Sequence, residues 1–285
     1  MNRPKRIGVT LGDPAGVGPE VVDAALASIK SHPSVHFEVI GSVEGHVPGN
    51  PTQASAQAAL AALEKAAERL NSGEWDAVVT GPVCKHTMKT CGFEFPGQTE
   101  FFAERSGTAN FAMCLTGGAL TVALVTAHIP LVEVAGALKT GEVVRIGRLL
   151  REFLLRRGIA EPRIAVAGLN PHAGESGDLG SEDRDIISPA VELLRDEGCF
   201  VGPLSPDTVF YQAVEGCYDA VLCMYHDQGL IPLKLHAFHA GVNVTLGLPF
   251  VRTSPDHGTA FDIAGRGIAR PESMRAAIEL ACSLV

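Results

Sequence analysis

Short runs of apolar, mostly β-branched residues alternate along this chain with longer segments whose apolar positions recur at helical spacing. The runs end at glycine, proline or polar turns, and they predict strands at residues 6–11, 37–40, 77–80, 120–126, 163–167 and 220–224. Between them the spacing predicts helices at residues 19–30, 52–71, 140–157, 181–197 and 273–283. Alternating strands and helices predict a parallel sheet covered on both faces, a three-layer α/β/α fold.

No internal repeat, low-complexity tract or Ser/Gly-rich linker divides the 285 residues. We therefore expect two interleaved α/β domains that share a cleft. The first is predicted to join residues 1–115 with residues 245–285, and the second to comprise residues 116–244. Chemistry is expected where the strands end, because glycines and prolines cluster there.

Composition narrows the classes of protein. Hydrophobic residues make up 46% of the chain, which is enough for a folded core, and the net charge of −9 comes without any basic run, so we expect no nucleic-acid partner. The apolar stretch at residues 7–11 is too short for a signal peptide, and no stretch is long enough for a membrane span. The seven cysteines form no C-x-x-C pair and are expected to be reduced. A cytoplasmic protein that contacts no membrane is therefore expected.

A glycine-rich turn, residues 12–20, directly follows the first predicted strand and opens a helix at Pro19. Turns of this kind can bind an anion or allow a ligand to approach the backbone closely. The spacing is not that of the G-x-G-x-x-G dinucleotide fingerprint. A purely structural tight turn is an equally good interpretation.

Three histidines each follow a β-rich run: His128, His172 and His226. If the carboxyl ends of these strands meet at one sheet edge, three imidazoles can hold one divalent metal ion and leave a position open for substrate. For any single histidine, a hydrogen-bonded loop or core role is the more common one. The shared position of the three favours function.

Isolated cations in apolar segments bounded by glycine and proline form a third candidate feature. Lys234 and Arg252, with Asn243 between them, suit capture of a phosphate or carboxylate, Arg252 as a fork and Lys234 as a point charge. The alternative is a pair of surface salt bridges.

A fourth candidate lies at residues 256–269, where small residues flank His257. Backbone groups here can approach a flat ligand closely, and Asp262 can accept hydrogen bonds from ribose hydroxyls. The alternative is a glycine-rich turn before the last helix.

Taken together, these segments resemble the 4-hydroxythreonine-4-phosphate dehydrogenase family of vitamin B6 synthesis. The resemblance runs through nearly the whole chain, so that residues 1–285 read as one family unit. Its segments are residues 12–20, residues 80–83 with Lys85, residues 96–102, the three histidine segments, residues 202–208 and residues 225–267. The segment after residue 256 also looks like the adenine-side loop of isopropylmalate and isocitrate dehydrogenases, and the resemblance implies their fold.

The resemblance implies the following site. One divalent ion per active site (Zn, Mg, Co or Mn) is held by His128, His172 and His226 and shared between the subunits of a homodimer. Gln98, Thr99, Lys234, Asn243 and Arg252 bind a small phosphorylated substrate, and His257, Gly258, Thr259, Ala260 and Asp262 bind NAD or NADP. The family has histidine where this chain has Gln98, which donates a hydrogen bond but carries no charge.

The family reaction implied is oxidation of 4-phosphooxy-L-threonine by NAD or NADP to a 3-oxo acid, which decarboxylates to 3-amino-2-oxopropyl phosphate. Lys234, Asp207 and Asp227 are the catalytic candidates for proton transfer, and the sequence does not rank them. Lys234 can instead serve as a phosphate or carboxylate contact, and Asp227 as a partner that orients a ligating histidine.

Three other functions compete with this one. The nearest is a sister dehydrogenase acting on D-threonate or D-erythronate 4-phosphate, which activity with non-amino acids would reveal. A metal-dependent lyase or hydrolase on the same scaffold would bind no NAD(H). Least favoured is a non-catalytic phosphometabolite-binding protein, because the chain retains all three histidines, Asp207 and Lys234.

Overall fold

The computed structural model describes residues 3–29 and 34–285 of the chain. Its strands are β1 (Lys5–Thr10), β2 (Val35–Ile40), β3 (Ala77–Thr80), β4 (Ala112–Gly117), β5 (Leu120–Leu124), β6 (Arg163–Ala167), β7 (Cys199–Leu204), β8 (Ala220–Cys223), β9 (Val242–Leu246) and β10 (Val251–Pro255). Its α-helices are α1 (Gly18–Ser28), α2 (Gln53–Asn71), α3 (Lys85–Lys89), α4 (Gln98–Arg105), α5 (Leu131–Ala137), α6 (Thr140–Arg156), α7 (Ser188–Leu194), α8 (Val209–Val214), α9 (His226–Ala237) and α10 (Glu272–Leu284).

One compact unit comprises Met1–Asn110 and Val242–Val285. Its strands lie in the order β2-β1-β3-β10-β9, parallel except for the antiparallel pair of β9 and β10. Helix α10 packs on β3, β9 and β10, and α2 packs on β1 and β3. Strands β3 and β10 are buried along their whole length, as expected for strands covered on both faces.

The other compact unit is Phe111–Gly241. Its strands lie in the order β4-β5-β8-β6-β7, with β5, β8, β6 and β7 mutually parallel and β4 antiparallel to β5. Helix α9 packs on β4, β5 and β8, and its Leu230 and Leu233 belong to the hydrophobic core of this unit.

The α/β class is confirmed, but the prediction of a wholly parallel sheet is wrong. Strands β4 and β5 are joined through Gly118 and Ala119 alone, and Gly118 has φ 56°. So short a connection only joins antiparallel neighbours, since a parallel pair needs a crossover of a dozen or more residues. The connection between β9 and β10 is similarly short and begins at Gly247, with φ 85°.

All six predicted strands are present, whereas β4, β7, β9 and β10 were not predicted. The helix predicted at residues 181–197 is a π-helical turn (Asp183–Ile187), then α7, then a 3₁₀ turn (Arg195–Glu197). The helix predicted at residues 19–30 is α1, and Lys30 lies outside the described residues. No helix within the described ranges has the length and apolar character needed to cross a membrane.

Candidate active site

The carboxyl ends of four neighbouring parallel strands carry the candidate catalytic residues of the second unit. His128 follows β5, His226 follows β8, His172 follows β6 and Asp207 follows β7. These strands are neighbours in this order and run in the same direction. The structure therefore delivers all four residues to one edge of the sheet, the edge where α/β folds bind ligands.

Two of the histidines form a pair. The ring centroids of His128 and His226 lie 5.5 Å apart, with an angle of 43° between the ring planes. His226 is the first residue of α9, and its Nδ1 atom lies 2.8 Å from Oδ1 of Asp227. An ionised carboxylate only accepts hydrogen bonds, so Nδ1 of His226 is the donor in this contact, and in the neutral imidazole the lone pair is on Nε2. Asp227 is thus the hydrogen-bond partner of the His226 ring.

His172 opens a backbone segment of unusual conformation. Residues 172–176 have φ values of 53°, 53°, 79°, 42° and 63°, so five consecutive residues are left-handed although only Gly174 lacks a side chain. A left-handed conformation costs each L-amino-acid residue roughly 1–2 kcal/mol. A segment of this kind persists only where the surrounding structure holds it, and such segments cluster at functional sites.

Asp207 lies on an exposed turn after β7. The Ser205 hydroxyl donates a hydrogen bond of 2.5 Å to its Oδ1 atom, and this bond holds the pKa of the Asp207 carboxyl below its ordinary value, with a smaller contribution from the charge of His172. Lys234 is partly buried on α9, seven residues after Asp227 and so on the same side of the helix.

The donor set suits a divalent metal in its chemistry, because neutral imidazoles are ligands of Zn and of other divalent transition-metal ions. Two of the predicted ligands, His128 and His226, have neighbouring rings, and Nδ1 of His226 is hydrogen-bonded to Asp227. In residues 3–29 and 34–285, however, no three His, Cys, Asp or Glu side chains come close enough together to hold an ion. One chain thus presents the His128 and His226 pair, with His172 on the adjacent strand.

The first unit contains a buried cation. Arg252, on β10, is 3% exposed, and burial lowers the pKa of its guanidinium to about 10, so that it remains charged at neutral pH. It donates hydrogen bonds to neutral acceptors only: Thr80 Oγ1 (2.7 Å), Thr245 Oγ1 (3.3 Å), Gln98 Oε1 (3.3 Å) and Thr99 Oγ1 (3.4 Å). The negative charge of Glu100 acts on this guanidinium and opposes the effect of burial on its pKa. Because the side chains that accept its hydrogen bonds are neutral, the guanidinium is suited to bind an anion.

The surroundings of this guanidinium leave hydrogen-bonding capacity for a ligand. Asn243 and Thr245 lie two residues apart on β9 and therefore share a face. In the described part of the chain, Nε of Arg252 and Oδ1 of Asn243 are buried without a hydrogen-bond partner. The structure thus brings Gln98, Thr99 and Arg252 together and places Asn243 on the same face, whereas Lys234 belongs to the other unit.

The candidate cofactor loop packs against the glycine-rich turn. The backbone N–H of Val17 donates to the carbonyl of Thr259 at 2.9 Å, and a Cβ atom at Gly16 would lie 2.8 Å from that same carbonyl oxygen. Ala260 is left-handed, with φ 41°, Gly258 and Asp262 are exposed, and Nε2 of His257 is buried with no partner among the described residues. The structure therefore brings the two predicted glycine-rich motifs together.

Several residues of the site escaped the sequence analysis. Thr80 and Thr245 accept hydrogen bonds from Arg252. They lie on β3 and β9, the two strands beside β10, and only this strand order could have indicated their contact with Arg252. Asp183 and Gln228 are buried polar side chains beside the histidine segments. Nothing in their spacing along the sequence marks them, because they act through backbone atoms that are distant in sequence.

Comparison with known proteins gives consistent matches. The family model described as pyridoxal phosphate biosynthetic protein PdxA matches residues 17–281. A 4-hydroxythreonine-4-phosphate dehydrogenase of Geobacter metallireducens is 43% identical, over 99% of this chain and 96% of that protein. The crystal structure of a protein of the same name from Klebsiella pneumoniae is 37% identical, with a TM-score of 0.82 over 98% of this chain and 99% of that one. An isocitrate dehydrogenase from Methylococcus capsulatus, 16% identical with a TM-score of 0.52 over 98% and 87% of the two chains, has a similar fold.

Proposed function

The chain belongs to the PdxA family of pyridoxal phosphate biosynthetic proteins, and from this membership we propose that it oxidises the secondary alcohol of 4-phosphooxy-L-threonine with NAD or NADP. The 3-oxo acid formed then loses carbon dioxide to give 3-amino-2-oxopropyl phosphate. The observation that carries this proposal is the placement of His128, His226 and His172 at the ends of three neighbouring parallel strands.

We propose these three histidines as the ligands of one divalent ion, Zn, Mg, Co or Mn. When bound, such an ion supplies Lewis acidity that lowers the pKa of an alcohol and stabilises the developing alkoxide. The residues of this chain prepare the site beforehand. Asp227 accepts a hydrogen bond from Nδ1 of His226, so that in the neutral imidazole the Nε2 lone pair is available for a ligand bond.

We propose that a homodimer completes this site. Exposed apolar side chains lie on the two helices that follow the paired histidines: Ile231 (66% exposed), Leu235 (88%) and Phe238 (69%) on or just after α9, and Leu131 (70%) and Val132 (89%) on α5. Exposed apolar patches of this kind mark interaction surfaces. A second copy packed here lies beside the paired imidazoles, which supports a metal site shared between subunits.

Arg252 and its neighbours are the proposed phosphate site. The guanidinium offers a planar fork to the phosphate oxygens, and burial keeps water from competing for it. The hydroxyl of Thr99 and the amides of Gln98 and Asn243 supply neutral hydrogen bonds around the anion. We propose Lys234 as an additional substrate contact.

Lys234, Asp207 and Asp227 are the proposed candidates for proton transfer. Asp227 is bonded to His226 and Asp207 to Ser205. We propose that one of these three groups, in its unprotonated form, takes the proton of the substrate hydroxyl, and that Asp227 can serve instead to orient His226. The loop that contains His257, Gly258, Thr259, Ala260 and Asp262 is proposed to bind the nicotinamide cofactor.

The test is a metal-supplemented assay of NADH and NADPH formation. 4-Phosphooxy-L-threonine is offered beside D-threonate and D-erythronate 4-phosphates. We expect preference for the amino acid, and loss of turnover in His172→Ala but not in His36→Ala, which removes an exposed histidine on β2. Preference for a sugar acid would identify a sister dehydrogenase, and undiminished turnover of His172→Ala would disprove the metal site.

A further inference from the structure

The ends of β5, β8 and β6 are tied to one another beyond the last ladder hydrogen bonds. The Thr126 hydroxyl donates to the Met224 carbonyl at 2.7 Å. The Met224 N–H donates to Oε1 of Gln228 at 2.7 Å, and Nε2 of Gln228 donates to the Gly168 carbonyl at 2.7 Å. One side-chain amide therefore joins the segment that leads to His226 with the segment that leads to His172.

Gln228 is held in a single arrangement. It is 6% exposed, two residues after His226 in the first turn of α9, and its donor and its acceptor both bond to backbone groups at the strand ends. Leaving a buried backbone N–H or carbonyl without a partner costs about 1–3 kcal/mol, so the structure strongly favours this bridge. The bridge contributes no group to substrate, and its effect is on the position of the backbone.

Asp183 extends the same network towards His172. Its carboxylate is 1% exposed and accepts hydrogen bonds from the backbone N–H groups of Leu169 (2.8 Å) and Asn170 (3.1 Å) and from the side-chain amide of Asn170 (3.0 Å). Gly168 lies so close that a Cβ atom there would be 2.8 Å from Oδ1 of Asp183. Immediately after Asn170 and Pro171 the left-handed segment begins at His172.

We propose that Gln228 is a positioning residue for the histidines, because its hydrogen bonds fix the backbone segment before His226 relative to the segment before His172. Asp183 holds the segment before His172 in place. This role rests on the proposed function, since it concerns the ligands of the proposed metal site. Ligands must be held within about 0.5 Å of their productive geometry, and residues that orient ligands typically change metal affinity 10- to 100-fold when replaced.

Two variants of Gln228 separate its hydrogen bonds from its volume. Gln228→Met keeps the length of the side chain and removes both bonds. Gln228→Glu keeps an acceptor for the Met224 N–H but, when ionised, has no donor for the Gly168 carbonyl. The matched control is Thr121→Val, which removes a buried hydrogen bond of 2.9 Å to Thr116 at the start of β5, the opposite end of the same sheet.

The full-length protein is freed of metal and titrated with Co²⁺, using calorimetry and the visible absorption of the bound ion. Amide hydrogen exchange is measured on the same metal-free samples at residues 168–172 and 224–226. We expect Gln228→Met to bind Co²⁺ about 10- to 100-fold more weakly with an altered spectrum and faster exchange, and Gln228→Glu to lie between it and the unaltered protein. Thr121→Val is expected to match the unaltered protein in affinity and spectrum.

Unchanged Co²⁺ affinity and spectrum in a folded Gln228→Met would overturn the positioning role. Gln228→Glu provides the same comparison if the methionine variant does not fold. Failure of the unaltered protein to bind Co²⁺ would instead overturn the metal site, and with it this role. These two outcomes are distinguishable, because failure of the metal site is seen in the unaltered protein, whereas failure of the positioning role is seen only in the Gln228 variants.

Discussion

Asp227 accepts a 2.8 Å hydrogen bond from Nδ1 of His226, the residue next to it in sequence. In Asp227→Asn the acceptor loses its negative charge, so the imidazole becomes a weaker ligand. We expect the affinity for a divalent ion to fall about tenfold. Competition with a chromophoric chelator measures it, and Asp23→Asn, an exposed aspartate on α1, is the control. A large loss of kcat with unchanged metal affinity would show that Asp227 is a proton-transfer group instead.

Gln98→Glu is expected to weaken phosphate binding. Gln98 accepts from Arg252 at 3.3 Å, and a carboxylate in its place would pair with the guanidinium and compete with the ligand. Hydrogen bonds to charged groups contribute about 1.5–3 kcal/mol, so affinity should fall roughly 10- to 100-fold. Thermal unfolding across an inorganic phosphate titration measures this, with Gln57→Glu, on the exposed side of α2, as control. If inorganic phosphate raised the unfolding temperature of Gln98→Glu as much as that of the unaltered protein, the anion site would lie elsewhere.

Gly16→Ala should raise the KM for NAD or NADP while metal affinity remains as it was. A Cβ atom at Gly16 would lie 2.8 Å from the Thr259 carbonyl oxygen, so the loop proposed to bind the cofactor must shift. A shift of about 1 Å can reduce catalysis 100-fold. Steady-state kinetics give the KM. Gly136→Ala is the control, because an added Cβ there meets nothing within 4 Å, and an equal effect of both substitutions would contradict the role given to the turn.

Leu235→Arg is expected to split the proposed dimer. Leu235 is 88% exposed on α9, and a charge in the centre of a packed apolar surface would be desolvated without a partner. Sedimentation equilibrium should then give the mass of one chain, 29.9 kDa, in place of twice that value. Leu193→Arg, on α7 with 59% exposure, should leave the mass unchanged. A monomeric unaltered protein would disprove the shared site.

The sequence was sufficient for the three strands that lead to the histidines, but not for β7, which leads to Asp207, or for β10, which carries Arg252. Strands β5, β6 and β8 are short and mostly apolar, so the sequence pattern was enough to place His128, His172 and His226 at strand ends. Helix α9 was missed because Pro232 interrupts it and because Ile231, Leu235 and Phe238 are exposed, which blurs the amphipathic pattern. An amphipathic pattern can be recognised in a sequence only where one face of the helix is buried and the other is exposed to solvent.

The hydrogen-bonded parts of the candidate site were beyond sequence reasoning for a different reason. Gln228 bonds to Gly168, sixty residues away, and Arg252 bonds to Thr80 across the sheet. Such contacts depend on strand order, which one sequence does not specify.

The left-handed backbone at residues 172–176 makes this loop an unusual target for protein engineering. Glycine usually weakens a fold, but at Ala173, Glu175 or Ser176 it would remove a steric penalty, so selection for heat resistance should accept glycine here. The same substitution would give the backbone beside His172 more conformational freedom, so the position of its imidazole would be less well defined. Thermostability and turnover would therefore be selected in opposite directions within one short loop, and a heat-adapted variant with glycine there should be a slower enzyme.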